Sequence, residues 1–380
     1  MVRIGRIAPS LWTRLRSCPG RGAGAVERAG LENRYTRKRI VGSNPTLSAT
    51  LLSRVRHVLS ALAICFGVVA PASASTALAP EIEAFIQDMV QKHQFSDATL
   101  RQMFASVAPN PKVIDLMTAP LTALPWYQFR SRYVDALRIN GGVKFWREHA
   151  DTLARARRKF GVPEEIIVAT IGVESIYGRR TGSFGVLESL TMLAFSYPPR
   201  ARLFRSELEH YLLLAREARF DTARVKGSYA GAIGIPQFLP SSYRRYAVDF
   251  DGDGRRDLVD STADAIGSVA NYYRSHGWRA GETIVVPAEV NSSDVTALLE
   301  LGIRPRLKLA ELKRHGVSPV VPMDEGPEAA LVEVESEGGL VYWLGLNNFY
   351  VITRYNRSVN YALAVHEIAQ ELRARFGTGN

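Results

Sequence analysis

Ile166 to Val173 reads IIVATIGV, eight apolar or small residues in a row, behind Pro163-Glu164-Glu165 and ahead of Glu174-Ser175-Ile176-Tyr177-Gly178. Proline followed by two acids makes a good first helical turn, because the missing N–H costs nothing there and the helix dipole favours acids. Gly178 provides a stop. A helix that is apolar on every side has to be packed on every side. The rest of the chain must therefore build layers around it, and folds that leave it on a surface are excluded.

The one carboxylate at the end of this run, Glu174, is the first candidate for chemistry. Burial disfavours the charged form, so its pKa should rise toward neutrality, where it can donate a proton. Ile167, Thr170, Ile171 and Tyr177 share its helix face, and of these only the Thr170 and Tyr177 hydroxyls offer polar partners. The plainer alternative is a helix-end glutamate that bonds a loop amide or faces solvent.

The first 74 residues need separating from the rest. Arg54-Val55-Arg56-His57 is a positive flank, Val58 to Val69 is an apolar run, and Ala72-Ser73-Ala74 is a small-x-small cleavage site, together the pattern of a secretory leader. The run is short of the roughly 20 residues that span a bilayer. Cleavage is expected after Ala74. Residues 1 to 50, rich in Arg and Gly without periodicity, read as an extension from a start site called too early. Cys65 lies inside the apolar run behind Ile64, where a lipid anchor would want a small residue, so lipidation is not expected.

Removing that segment takes 12 of 48 Lys and Arg and 2 of 37 Asp and Glu, which leaves 36 against 35, a net charge of +1 in place of +11. A nucleic-acid partner loses its support, since phosphate binding needs a basic face that stays on the protein. Cys18 and Cys65 go with the leader, so the remainder has no thiol for a disulfide, a metal or a nucleophile.

The expected class is α+β, mostly α. Residues 75–160 read as an N-terminal helical domain, with two short helices between Pro80 and Thr118, an aromatic cluster at Leu124-Pro125-Trp126-Tyr127-Gln128-Phe129, and a helix from Gly142 through Arg158. Residues 161–280 form the core. Residues 281–347 turn to short β-type runs around Val285-Val286, Ala330 to Val334 and Leu340 to Trp343, a small β-rich domain. Residues 348–380 hold the stretch Asn348 to Asn356 and a last helix, Tyr361 to Phe376.

Gly227-Ser228-Tyr229-Ala230-Gly231-Ala232-Ile233-Gly234-Ile235-Pro236-Gln237-Phe238 is glycine-rich but lacks the Lys-Ser/Thr ending of a phosphate loop. Its small residues allow close approach by another backbone or a sugar ring, and Ser228 and Gln237 can bond hydroxyl or amide groups. Tight helix packing is the alternative. No metalloprotease or nucleophile-elbow spacing occurs among the histidines and serines.

A stronger metal signal lies at Asp249 to Asp260, which follows the EF-hand loop pattern. Asp249, Asp251 and Asp253 stand at ligand positions, Gly254 makes the turn, and Arg255 offers its carbonyl. Asp260 stands where a bidentate Glu is usual, and Asp264 in a longer loop competes for that closing place. The expected role is a structural calcium ion that staples a loop, with a solvated acidic turn as the alternative; no organic cofactor is expected.

Taken in chain order, Glu174-Ser175, Ser228 to Phe238, the Asp-rich loop, Asp264-Ala265-Ile266-Gly267-Ser268-Val269-Ala270-Asn271-Tyr272 and Thr353-Arg354-Tyr355-Asn356 resemble the lytic murein transglycosylase B family, over roughly Pro80 to Phe376. The resemblance implies a lysozyme-like helical core, a calcium-binding loop and a peptidoglycan substrate. It implies cleavage of the β-1,4 bond between N-acetylmuramic acid and N-acetylglucosamine, with a 1,6-anhydro end formed and no water consumed. Glu174 would act first as acid and then as base. Ser228, Gln237, Phe238, Tyr272, Tyr355, Asn356 and Tyr361 would line the glycan groove.

The same resemblance implies a monomer in the periplasm of a Gram-negative bacterium, with glycan strands as its partner and cell-wall synthesis or divisome proteins as further ones. One departure concerns Phe129, which stands where the family places a tyrosine and so lacks a hydroxyl contact. A hydrolytic lysozyme-type muramidase, for which Glu188 is the nearby second carboxylate, and a catalytically dead peptidoglycan-binding protein are the rival readings.

Overall fold

The computed structural model describes residues 78–118, 124–292 and 294–377; the leader, both cysteines and the expected cleavage site lie outside them. The helices are α1 (Pro80–His93), α2 (Asp97–Ala105), α3 (Pro111–Thr118), α4 (Trp126–Tyr133), α5 (Ala136–Glu148), α6 (Ala150–Phe160), α7 (Glu164–Ser175) and α8 (Val186–Ser196). They continue with α9 (Ala201–Ala218), α10 (Pro240–Tyr246), α11 (Thr262–Ser275), α12 (Thr296–Glu300), α13 (Leu309–Arg314), α14 (Asn347–Tyr355) and α15 (Val359–Gly377). The strands are β1 (Phe184–Gly185), β2 (Lys226–Gly227), β3 (Val285–Val290), β4 (Leu307–Lys308), β5 (Val317–Pro319), β6 (Glu328–Ser336) and β7 (Gly339–Gly345). The chain is mostly helical with a small antiparallel sheet, and no described helix is long and apolar enough to cross a membrane.

Helix α7 is the buried axis that its composition demands. Ile167, Val168, Ala169 and Ile171 are fully buried, and α5, α6, α11 and α15 pack around it. At roughly 1.5–3 kcal/mol for each large apolar side chain removed from water, this helix contributes heavily to the core. Its start and end each differ from expectation by a short step. Pro163 is the residue before the first turn, and the helix stops at Ser175 because Ile176 turns to φ +51°. Tyr177 follows at φ +60°, and Gly178 at φ +81° is only the third left-handed residue.

Two further differences have local causes. Pro109 and Pro111 divide the Pro80–Thr118 segment into three helices rather than two, since proline ends a preceding helix. The Gly142–Arg158 pattern breaks at His149, whose φ −119° and ψ 24° are not helical, so α5 and α6 are separate.

The sheet runs β4-β6-β7-β3-β5, antiparallel throughout. Side chains alternate along a strand, and both faces here are used. Val332 and Val334 of β6, Trp343 of β7 and Val285 of β3 join the main helical core. Leu331, Leu344 and Val286 turn to a second, smaller core with Leu298 of α12 and Leu309 and Leu312 of α13. Buried Asn348 at the start of α14 holds the loop after α11, accepting from Arg279 N at 2.9 Å and donating to its carbonyl at 2.7 Å. That junction leads α14 onto α15, which packs against α7.

Candidate active site

Glu174 stands one residue before the end of α7, partly open to solvent while its neighbours are buried. Ser175 fixes this helix end. Its hydroxyl donates to Ile235 O at 2.6 Å and accepts from Gly178 N at 2.9 Å, which ties the left-handed turn to the glycine-rich segment. A β-branched residue at positive φ is uncommon and costs energy; here it is Ile176, two residues after Glu174, held by that bond.

The partner of Glu174 is a residue that helix-face reasoning did not reach. Tyr361 on α15 donates its hydroxyl to Glu174 Oε1 at 2.7 Å. The expected partners are engaged elsewhere. Thr170 bonds Ile166 O and the Tyr273 hydroxyl, both at 2.8 Å, and Tyr177 donates to Arg138 O at 2.6 Å. Burial pushes the Glu174 carboxyl up to about 7, and the Tyr361 bond pulls the other way. Among the described residues, no second carboxylate contributes to that balance. Burial and the charge of Glu174 hold the Tyr361 and Tyr355 phenols well above their usual range, so both stay proton donors.

Rings extend from this pair. Tyr361 stacks on Tyr355 at 6.3 Å, Tyr355 lies 4.8 Å from Tyr272, and Phe238 is within 5.7 Å of both. Their hydroxyls brace the backbone, Tyr355 donating to Pro236 O and Tyr272 to Arg354 O, each at 2.6 Å. Gln237, itself at φ +52°, donates to Thr181 O and Gly234 O, while the Ser228 hydroxyl accepts from Ala230 and Ala232 N. Asn356 follows α14, half-buried. Glu174, Phe238, Tyr272, Tyr355 and Tyr361 thus form one cluster, with Gln237 and Ser228 shaping the loop beside it. Gly234 is required there: it sits at φ +74° and a Cβ would meet Leu258 O.

Two hydroxyls near the carboxylate were not among the expected site residues. Tyr273 is buried against Thr170 on α7. Tyr133 stacks on Phe129 at 4.3 Å with the Arg138 guanidinium over its ring, and its phenol feels the Glu174 charge. Phe129 is 1% exposed, so a groove hydroxyl from α4 comes one turn later than position 129. A spacing of four along a helix would have placed Tyr133 on the same face.

In the acidic loop, Asp249, Asp251 and Asp264 bring ligand oxygens within 4.8 Å of one another. Asp253, Arg255 and Asp260 lie outside that group. Buried Asp264 earns its place through the backbone, accepting from Phe250 N at 2.6 Å and Asp257 N at 2.7 Å. Ser261 caps α11 by accepting from Asp264 N and also donates to Asp251 Oδ2 at 2.6 Å. An all-oxygen, triply acidic set suits a hard cation of calcium's kind.

The chain is similar to proteins of known kind. Residues 77–370 match the family described as the transglycosylase SLT domain. The chain is 40% identical over 301 residues to membrane-bound lytic murein transglycosylase B of Escherichia coli, covering 77% of this chain and 82% of that protein. The structure of the E. coli lytic transglycosylase Slt35 in complex with calcium is 39% identical, with a TM-score of 0.71 over 78% of this chain and 94% of that one. SltB3 from Pseudomonas aeruginosa, in complex with NAG-NAM-pentapeptide, is 32% identical, with a TM-score of 0.68 over 77% of this chain and 79% of that one.

Proposed function

The chain belongs to the transglycosylase SLT domain family and is a lytic murein transglycosylase; we propose that it cleaves the β-1,4 bond between N-acetylmuramic acid and N-acetylglucosamine with Glu174 as its only acid and base. The observation that carries this reading is a carboxyl raised to about 7 by burial, bonded by Tyr361 and influenced by no second carboxylate among the described residues. Ordinary glycosidases need two carboxyl groups, about 5–5.5 Å or 6.5–9.5 Å apart. A reaction that draws its nucleophile from the sugar needs one.

Protonated Glu174 donates to the glycosidic oxygen as the bond to the anomeric carbon breaks. The substrate's own N-acetyl group meets the positive charge that develops there. The carboxylate so formed then takes the proton of the muramic C6 hydroxyl while that oxygen attacks the anomeric carbon, closing the 1,6-anhydro ring. Glu174 returns to its acid form, and water is not consumed. Tyr361 orients the carboxyl and stabilises its charged form between the two transfers. Proton transfer of this kind contributes roughly 10²–10⁴-fold. The rings of Tyr355, Tyr272 and Phe238 back the groove, with Ser228, Gln237 and Asn356 on the adjoining loops.

Asp249, Asp251 and Asp264 would hold a calcium ion, with Asp253, the Arg255 carbonyl and Asp260 of the same loop as further candidate ligands. When bound, such an ion would neutralise three converging carboxylates beside the start of α11, which carries Tyr272 and Tyr273. The leader pattern supports action in the periplasm. The chemistry is tested by mass spectrometry of muropeptides released from purified sacculi by the chain lacking residues 1–74. Products one water lighter than their hydrated counterparts support the reading; reducing ends mean a lysozyme, and no release means a binding protein.

A further inference from the structure

The hydroxyls on the rings that extend from Tyr361 are already engaged within the protein: Tyr355 on Pro236 O, Tyr272 on Arg354 O and Tyr273 on Thr170. Such rings offer a sugar an apolar face but no donor. The phenol of Tyr133 is different. It has no hydrogen bond among the described residues, although the residue is half-buried. Tyr229 on the glycine-rich segment shares that freedom, but its ring rests edge-on against Phe184 at 6.5 Å, whereas the Tyr133 ring is clamped.

Arg138 is the clamp. Its guanidinium lies 4.8 Å over the Tyr133 ring, which also stacks on Phe129 at 4.3 Å. Its Nε donates to Gly172 O at 3.2 Å, and a terminal nitrogen donates to Arg132 O at 3.0 Å and to Asp135 Oδ2 at 2.7 Å. Its backbone oxygen accepts the Tyr177 hydroxyl. Gly172 stands two residues before Glu174 on α7, so one planar group joins the last turn of that helix to the end of α4. Stacking and forked donation together require the flat, delocalised cation of arginine. At 11% exposure the side chain faces the protein rather than a ligand.

Burial holds the Tyr133 phenol above its usual range, with Arg138 pulling it down and the Glu174 charge pushing it up. It therefore keeps its proton, close to the carboxylate and not bonded to it. The acceptors open to it in a glycan groove are the acetamido and hydroxyl oxygens of the sugar.

We propose that Tyr133 is a substrate-binding residue that donates its hydroxyl to a neutral oxygen of the sugar beside Glu174, and that Arg138 is the positioning residue that holds it there. The proposal rests on the glycan-cleavage reading above and divides the work of two phenols: Tyr361 acts on the carboxyl, Tyr133 on the sugar.

The test is a double-mutant cycle in the chain lacking residues 1–74, read as kcat/KM for release of anhydro-muropeptides from solubilised glycan strands, with folding checked by circular dichroism. Tyr133→Phe keeps the stacked ring and lowers kcat/KM by about three- to tenfold, the worth of one neutral hydrogen bond. It leaves the pH limb at about 7 in place, which Tyr361→Phe moves. Arg138→Lys keeps the charge without the stacked plane and also lowers kcat/KM, but adds at most about twofold once Tyr133→Phe is present, because the hydroxyl it positions is gone. Unchanged kcat/KM in Tyr133→Phe overturns the proposal, as does a shifted limb, which would put that hydroxyl on the carboxyl. Fully additive losses overturn the positioning role of Arg138. Reducing ends or no release from the unmutated chain overturn the cleavage reading itself, and the proposal with it.

Discussion

The hydroxyl of Tyr361 donates to the Glu174 carboxyl at 2.7 Å across 187 positions of sequence, so the last helix of the chain completes what its buried central helix presents. The bond favours the ionised carboxyl, against the burial that raises its pKa to about 7. The site thus combines an acid that is protonated near neutrality with one donor that steadies it once it has given its proton away.

Replacing Glu174 by Gln removes the group that transfers both protons and keeps the shape. Release of anhydro-muropeptides from sacculi is expected to fall by at least about 10³-fold, with an unchanged far-ultraviolet circular dichroism spectrum. Full turnover by this variant would remove Glu174 from the reaction.

The pH dependence has a definite sign. Folding raises the Glu174 pKa from 4.5 to about 7, so the folded state binds more protons than the unfolded chain in that window. Stability from this group is complete below about 4.5 and is lost as pH rises through about 7. Glu174→Gln should flatten the fall in urea midpoint across that range. Activity should decline above pH of about 7, as the acid form disappears. In Tyr361→Phe the carboxyl loses the bond that lowers its pKa, so that decline moves to higher pH while kcat drops. A limb that moves down or stays in place contradicts the assigned bond.

Metal removal should separate two roles in the acidic loop. EDTA should lower Tm, and calcium should restore it. Asp251→Asn, at an exposed position, should mainly reduce the shift produced by calcium. Asp264→Ala should also lower Tm in EDTA, by the equivalent of roughly 1–3 kcal/mol, because the amides of Phe250 and Asp257 lose their acceptor. Equal Tm values for Asp264→Ala and the unmutated chain in EDTA would show that the loop does not depend on those bonds.

Gly172 tests how tightly the catalytic helix is packed. A Cβ there would collide with the Tyr177 ring, whose hydroxyl is fixed to Arg138 O. Alanine is favoured over glycine in a helix by roughly 1 kcal/mol, but overpacking costs about 1–3 kcal/mol. Gly172→Ala is expected to lower the urea midpoint, whereas a rise would mean that Tyr177 yields easily.

The all-apolar face of Ile166 to Val173, the acids behind Pro163 and the glycine-rich segment are local patterns, and each reports its environment directly. They sufficed for a buried helix ending in a lone glutamate, for the mostly helical class and for an acidic loop. The order of motifs added the family. What local pattern could not contain was partnership. Thr170 and Tyr177 were the polar groups expected on the helix face of Glu174, yet the helix ended at Ser175 and packing turned one toward Tyr273 and the other toward Arg138, leaving the carboxyl to Tyr361. Likewise Asp260 and Asp264 were equivalent candidates by spacing. Only the start of α11 decided that Asp264 joins Asp249 and Asp251, because a buried carboxylate there is held by the amides of Phe250 and Asp257. Periodicity fixes which side of a helix is buried; which group waits on the other side depends on segments far away in the chain, brought there by the cost of leaving apolar faces and polar groups unpaired.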